Sequence, residues 1–332
     1  MTVGYDGVPV LVLGGSGFIG RWVTHRLTTL GATVTCAVRD PRAMESICLT
    51  HGIAPEVVMV DLLDDAAVHD LFASRRPAIT FNLAGYGIDR AEQEEGLSWR
   101  INATLVAQLA DLAERFSSDV WDGMRLVHVG SALEYGRIGG TLPEDAIPDP
   151  TTLYGITKLA GTRSLAERTS LAAVTVRLFT VYGPGEHAGR LLPTLLAAAR
   201  HGGEVPLSAG DQRRDFTYVE DVADGLLRVG RERTVPGRVV NLATGTLTSV
   251  REFVEIAAQV LAIASDRLRF GVLPQRSDEM PHDAVSTMRL EQLIGWHPAT
   301  GIAEGVRLTA DRQSGRYLRG SGPVAQSFDV RP

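Results

Sequence analysis

The run Val10-Leu11-Val12-Leu13-Gly14-Gly15-Ser16-Gly17-Phe18-Ile19-Gly20 decides the fold. A short apolar stretch ends in a glycine loop. A helical pattern follows at once, with Ile19, Trp22, Val23, Leu27 and Leu30 near helical spacing. Strand, glycine turn and helix in that order form the context in which a glycine pattern means dinucleotide binding. Gly14 suits the tight turn, Gly17 the approach of backbone to a pyrophosphate, and Gly20 close packing of helix on strand. The anion would rest on Ser16, Phe18 and Ile19 at the helix N-terminus, where free N–H groups and the helix dipole favour negative charge. The spacing is G-x-x-G-x-x-G, one residue longer at the front than the commonest fingerprint.

Outward from this loop, strand-like and helix-like stretches alternate. Strands are expected near 8–13, 33–38, 56–60, 78–83, 126–129, 174–178 and 238–242. Helices are expected near 17–30, 65–74, 98–116, 151–168 and 219–230. The strands are continuous apolar runs, as in a parallel sheet covered on both faces. The fold class is therefore α/β, a Rossmann-type doubly wound parallel sheet with a smaller C-terminal α/β domain for substrate. Residues 1–178 with about 217–245 form the first domain, and about 179–216 with 246–314 the second. Residues 315–332, rich in Gly, Ser and Pro, read as a disordered tail.

The chain has 332 residues, 44% of them hydrophobic, and a formal net charge of −6, enough for a real core and no basic surface for nucleic acid. No apolar run approaches a membrane span, and the first residues carry no export signal, so a cytoplasmic protein is expected. Cys36 and Cys48 give no disulfide framework, and no cluster suggests a metal. Lysine occurs once, at Lys158, while arginine fills every other basic position of that kind. A lysine retained against such a bias suggests chemistry that a guanidinium cannot do.

Strand ends carry the next signals. The second strand runs into Arg39-Asp40. A carboxylate here would take ribose hydroxyls of NAD, and an arginine the 2′-phosphate of NADP. Arg39 favours NADP(H) over NAD(H), and Asp40 is the counter-signal. Asp61-Leu62 follows the third strand, with Asp61 toward the adenine edge. Leu83, Ala84 and Gly85 end the fourth, small enough for the cofactor to pass. The fifth strand leads into Ser131-Ala132-Leu133-Glu134-Tyr135, and Tyr154-Gly155-Ile156-Thr157-Lys158 comes next. Positions i and i+4 share a helix face, so phenol and ammonium point the same way. A free tyrosine has a pKa near ~10. A neighbouring cation is expected to lower it.

These pieces resemble the extended short-chain dehydrogenase/reductases, in their nucleotide-sugar epimerase, dehydratase and reductase branch, over roughly residues 8–310. The resemblance also rests on Arg177-Leu178-Phe179-Thr180-Val181-Tyr182-Gly183-Pro184-Gly185, on Arg214-Asp215-Phe216, on Asn241-Leu242-Ala243-Thr244-Gly245 and on Gly295-Trp296-His297-Pro298. Thr180 stands where an asparagine is frequent. The resemblance implies that Ser131, Tyr154 and Lys158 are catalytic, with Lys158 also on the nicotinamide ribose. It implies a nucleoside-diphosphate sugar bound by Tyr86, Ser131, Thr180, Arg190, Leu191, Arg214 and Arg276, the arginines 214 and 276 on its diphosphate. It implies a homodimer through a four-helix interface of helices 98–116 and 151–168, with Leu105, Leu109, Leu112, Leu159 and Leu165 as apolar positions.

Within that branch, elimination of water needs an Asp-Glu pair after the Ser/Thr. Ala132-Leu133 stand there, and Glu134 lies one position late. A cysteine for C3/C5 epimerisation is absent where Leu133 sits. The expected activity is NADPH-dependent reduction of the C4 keto group of a nucleoside-diphosphate 4-keto-6-deoxyhexose, with Tyr154 as proton donor. A redox-neutral, NAD-dependent C4 epimerase is the alternative. A non-catalytic NADP-sensing or scaffold protein is the alternative of another class.

Overall fold

The computed structural model describes residues 4–88, 92–274 and 282–313. Arg276 and the tail beyond 313 lie outside the described residues. The strands are β1 (Pro9–Leu13), β2 (Thr33–Val38), β3 (Glu56–Met59), β4 (Ile79–Asn82), β5 (Leu126–Ser131), β6 (Ala173–Leu178), β7 (Thr180–Tyr182), β8 (Val205–Pro206), β9 (Arg213–Tyr218), β10 (Val239–Leu242), β11 (Leu247–Ser249) and β12 (Leu268–Arg269). The α-helices are α1 (Gly20–Thr29), α2 (Pro41–His51), α3 (Asp65–Arg75), α4 (Glu95–Trp99), α5 (Leu105–Phe116), α6 (Leu153–Ala166), α7 (Leu191–His201), α8 (Val219–Gly230), α9 (Val250–Val260), α10 (Met288–Ile294) and α11 (Ile302–Gln313).

Seven strands form one sheet in the order β3-β2-β1-β4-β5-β6-β10, every pairing parallel. This is the doubly wound α/β arrangement, and its strand order reverses between β1 and β4. Loops leave the two strands in opposite directions there and open a crevice at their carboxyl ends. One face of the sheet packs on α1, α2 and α8 through Trp22, Leu27, Met44, Val222 and Leu226. The other packs on α3 and α5 through Val68, Phe72, Leu105 and Leu109. Both faces are covered, which is why the strands read as unbroken apolar runs.

A third core lies apart from the sheet. Leu192 and Leu195 of α7, Phe253 and Val254 of α9 and Val306 of α11 pack on Tyr182, Phe216 and Tyr218. The small sheet beneath them has the order β11-β9-β7, with β9 antiparallel to β11 and parallel to β7. The Asp215 carboxylate ties this sheet to the loop after β10. It accepts from the Thr244 and Gly245 backbone N–H groups at 2.9 and 2.7 Å and from both neighbouring threonine hydroxyls.

The structure departs from the sequence reading in several places. The charged turn after β2 opens directly into α2. Asp40 is its N-cap, accepting from Arg42 N, and Pro41 occupies its first turn. Only Met44 and Ile47 of α2 are buried, too few to give a helical period. The strands β7, β9 and β11 were not expected, being short and charged at Arg213, Arg214 and Asp215. The expected helix over 98–116 is α4 and α5 joined by a π turn at Arg100–Thr104. Leu105, Leu109, Leu112, Leu159 and Leu165 are all buried within the protomer and build its own core, while Trp99 and Ile156 on the same stretches are exposed.

Candidate active site

The glycine loop takes the shape its sequence requires. Gly14 has φ +77°, a left-handed conformation that a side chain would strain. The Gly17 N–H donates to the Gly14 carbonyl at 2.9 Å, closing the turn. A Cβ on Gly20 would overlap that same carbonyl oxygen, so the first residue of α1 must be glycine for the helix to start against the strand. Arg21 locks the loop from outside, its guanidinium donating to the Ser16 and Gly17 carbonyls at 3.2 and 3.1 Å.

A cleft of about 980 Å³ runs from this loop along the carboxyl ends of the sheet. Its lining includes Gly14, Ser16, Gly17, Phe18, Ile19 and Gly20 of the loop. At one end stand Arg39, Asp61 and Leu62; beneath the middle lie Leu83, Ala84 and Gly85; at the other end are Tyr86, Ser131, Tyr154 and Lys158. The size suits an organic ligand, and an anion-binding helix start, small residues at the switch point and a buried lysine suit a dinucleotide. Arg39 is exposed at the edge, while Asp40 is engaged in capping α2 and Asp61 accepts from Leu63 N at 3.0 Å.

The reactive end is built on β5 and α6. Thr152 caps α6 by accepting from Gly155 N at 3.0 Å, which places Tyr154 and Lys158 in the first two turns on one face. Lys158 is only 2% exposed and donates to the Val129 carbonyl of β5 at 2.9 Å. Burial pushes its pKa down to about 8, against the pull of Glu134. Ser131 ends β5, accepts from Leu133 N at 3.2 Å and lies with Tyr154 in the cleft lining, its hydroxyl pulling the phenol's pKa down.

The expectation that Lys158 lowers the Tyr154 pKa is corrected. Loss of hydration raises it, and the carboxylates of Glu134 and Glu92 raise it further, outweighing the hydrogen bond from Ser131. The lysine does not compensate, its ammonium lying 6.0 Å from the ring centre. Tyr154 therefore stands protonated at neutral pH.

Glu134 is accounted for. One oxygen accepts from Ser131 N at 2.8 Å; the other accepts from Arg177 Nε at 2.9 Å and from the Thr162 hydroxyl at 3.0 Å. It is sealed beneath the site with no lone pair turned to the cleft, so it holds Ser131 in place.

The remaining sequence candidates divide. Arg190 lines the cleft, 3.5 Å from Glu186. Thr180 on β7, Leu191 at the start of α7 and Arg214 on β9 are outside its lining, and on β7 it is Val181 that faces the cleft. Arg276 lies outside the described residues. Two lining or supporting residues were missed. Asn102, buried in the π turn, accepts from Tyr86 N at 3.1 Å and donates to Tyr86 O and Thr157, fixing the loop after β4 against α6. An asparagine inside an otherwise apolar helix was the available signal. Glu186 had no signal, being one charge in a loop. Among the described residues no group of side chains could hold a metal ion, and no helix is long and apolar enough to cross a membrane.

Residues 10–243 match the NAD dependent epimerase/dehydratase family, and the chain belongs to that family of nucleotide-sugar enzymes. It is 29% identical over 320 residues to a dTDP-6-deoxy-L-talose 4-dehydrogenase (NAD(P)(+)) of Kitasatospora kifunensis, covering 90% of this chain and 93% of the relative. It is 27% identical over 317 residues to a UDP-glucose 4-epimerase of Mycolicibacterium smegmatis, covering 91% and 97%. Among solved structures it is similar to MoeE5 in complex with UDP-glucuronic acid and NAD, with a TM-score of 0.76, 26% identity and coverage of 92% and 99%.

Proposed function

We propose that the protein is an NADPH-dependent 4-ketoreductase of a nucleoside-diphosphate 4-keto-6-deoxyhexose. The observation that carries this reading is a protonated Tyr154 beside Ser131 in the cleft, with Glu134, the carboxylate of the β5 turn, already engaged by Ser131 N, Arg177 and Thr162. Reduction of a ketone needs a proton for the new alkoxide and nothing more from the protein. A nicotinamide cofactor held by the glycine loop and Lys158 would supply the hydride. Tyr154 gives its proton to the carbonyl oxygen as the C4–H bond forms. Ser131 accepts from Leu133 N, leaving its own hydrogen to orient that oxygen. Lys158 keeps two N–H bonds beyond the one to Val129, enough to hold a ribose hydroxyl and to stabilise the phenolate left behind. Ala132 and Leu133 offer no group for elimination, and Glu134 is consumed by Arg177, which disfavours dehydration.

The likeness to a 4-dehydrogenase of a 6-deoxyhexose, the reverse of the proposed step, supports the same chemistry. Exposed Arg39 beside a committed Asp40 supports NADP(H). Arg190 at the cleft rim is the proposed diphosphate contact. The likeness to a 4-epimerase favours a second reading, in which hydride leaves and returns to C4 on a retained NAD. The deciding experiment follows reduced-nicotinamide absorbance while the protein meets NADPH and a panel of 4-keto-6-deoxy sugar nucleotides. Stoichiometric loss of NADPH is expected. No loss, with NAD released from the denatured protein and C4 inversion of a sugar nucleotide, would replace the reductase by the epimerase.

A further inference from the structure

One cleft carboxyl has no task in the chemistry above. Glu186 follows β7 in the segment 183–190 that borders the reactive end. Its side chain is 7% exposed, and Oε2 is buried with no hydrogen-bond partner among the described residues. The nearest cation, Arg190 Nε, is 3.5 Å from the other oxygen, a long contact from a side chain that is 39% exposed at the rim. Burial pushes the Glu186 carboxyl up to about 7, more than Arg190 and the Gly183 backbone pull it down.

The segment is held firmly, so the carboxyl is not there by loop freedom. Trp22 Nε1 donates to Pro184 O at 2.9 Å. A Cβ on Gly185 would come 2.8 Å from the Arg21 guanidinium that clasps the glycine loop. Glu186 is thus fixed where the glycine loop, the segment after β7 and the cleft meet. A buried carboxyl oxygen left unpaired is costly, and such an oxygen is retained where something entering the site pairs with it. An incoming phosphate would be repelled. The complement is a neutral hydrogen-bond donor, and in a family that binds nicotinamide cofactors and nucleotide sugars that donor is an alcohol.

We propose that Glu186 is a ligand-reading residue of the cleft, its free oxygen accepting a hydrogen bond from a hydroxyl of the bound ligand. The hydroxyl belongs either to the hexose or to a ribose of the cofactor, and the sugar case rests on the nucleotide-sugar reading above. Glu186 makes no proton transfer in this role.

Calorimetric titration of Glu186→Ala and Glu186→Gln with NADPH, dTDP-glucose, UDP-glucose, dTDP and UDP tests it. Loss of a hydrogen bond to a charged group weakens binding by about 10- to 100-fold. That loss is expected for Glu186→Ala, with much of it restored in Glu186→Gln, whose amide keeps an acceptor oxygen. A loss confined to the glucose conjugate, with dTDP or UDP unchanged, assigns the hexose; a loss confined to NADPH assigns the cofactor. Unchanged affinity for all in Glu186→Ala overturns the proposal. So does an equal loss in both variants accompanied by a lower unfolding temperature, which marks a structural group. If the unaltered protein binds NADPH and no nucleotide sugar, the substrate reading fails, and the NADPH arm alone decides on Glu186.

Discussion

Glu134 and Arg177 form an ion pair of 2.9 Å with side chains 0% and 3% exposed, directly beneath the residue that ends β5. The same carboxylate holds Ser131 N, so the pair fixes the serine from below. A buried charge stripped of its partner is destabilising by about 3–5 kcal/mol. Glu134→Ala is therefore expected to lose stability of that order in urea unfolding, with Arg177 left uncompensated. A variant of unchanged stability that has lost only turnover would instead make Glu134 a participant in the chemistry.

Lys158 gives a pH dependence of known sign. Its pKa falls from 10.5 to about 8 on folding, so the unfolded chain binds more protons between those values. Stability rises with pH wherever the unfolded state holds more protons, so this group costs stability below about 8 and the cost fades as pH climbs toward the unfolded value. At neutral pH the penalty is on the order of 3 kcal/mol. Lys158→Met should be inactive yet at least as stable as the parent at pH 7, and its advantage should shrink by pH 9.5. Urea titrations at the two pH values measure this; a variant less stable at pH 7 than at pH 9.5, relative to the parent, would contradict the burial argument.

In the proposed reduction the proton on Tyr154 passes to the substrate oxygen. Tyr154→Phe keeps the ring and removes the acid, so binding of cofactor and substrate should persist while kcat falls by about 10²- to 10⁴-fold. Pre-steady-state absorbance separates the two. A fully active phenylalanine variant would remove Tyr154 from the mechanism.

What was legible in the chain was set by local rules. The loop from Gly14 to Gly20 and the pair Tyr154 and Lys158 depend on spacing within one turn or one helix, and they meet in the cleft as spacing required. The sheet was legible because two-sided burial leaves unbroken apolar strands. The sign of the Tyr154 shift was not, since it depends on burial of the phenol and then on the charges of Glu134 and Glu92, all of which come only with tertiary packing. Helix α2 was hidden by its exposure, and the small mixed sheet that carries Thr180 and Arg214 was hidden because its short strands carry no period.

Gly20 and the Gly14 carbonyl are in contact across the glycine loop, and the loop admits no methyl group there. Overpacking at such a site costs about 1–3 kcal/mol. Gly20→Ala is expected to lower the unfolding temperature and weaken cofactor binding together, since the displaced helix start is also the anion site. Gly301, by contrast, faces open space, and Gly301→Ala serves as the control. Equal cofactor affinity in both would separate the loop from the cofactor site.

Arg39 and Asp40 are adjacent, and the structure assigns them different surroundings. Arg39 is exposed on the cleft wall without a protein partner among the described residues, while Asp40 accepts from Arg42 N as the cap of α2. Removing a cap costs about 0.5–2 kcal/mol, and removing a charged hydrogen bond to a phosphate about 1.5–3 kcal/mol of binding. Asp40→Ala should therefore lower stability and leave the ratio of kcat/KM for NADPH and NADH nearly unchanged. Arg39→Ala should leave stability unchanged and reduce that ratio by about 10- to 100-fold, an effect that weakens as salt is added. If Asp40→Ala shifts the cofactor ratio and Arg39→Ala does not, the carboxylate reads the ribose and the cofactor is NAD.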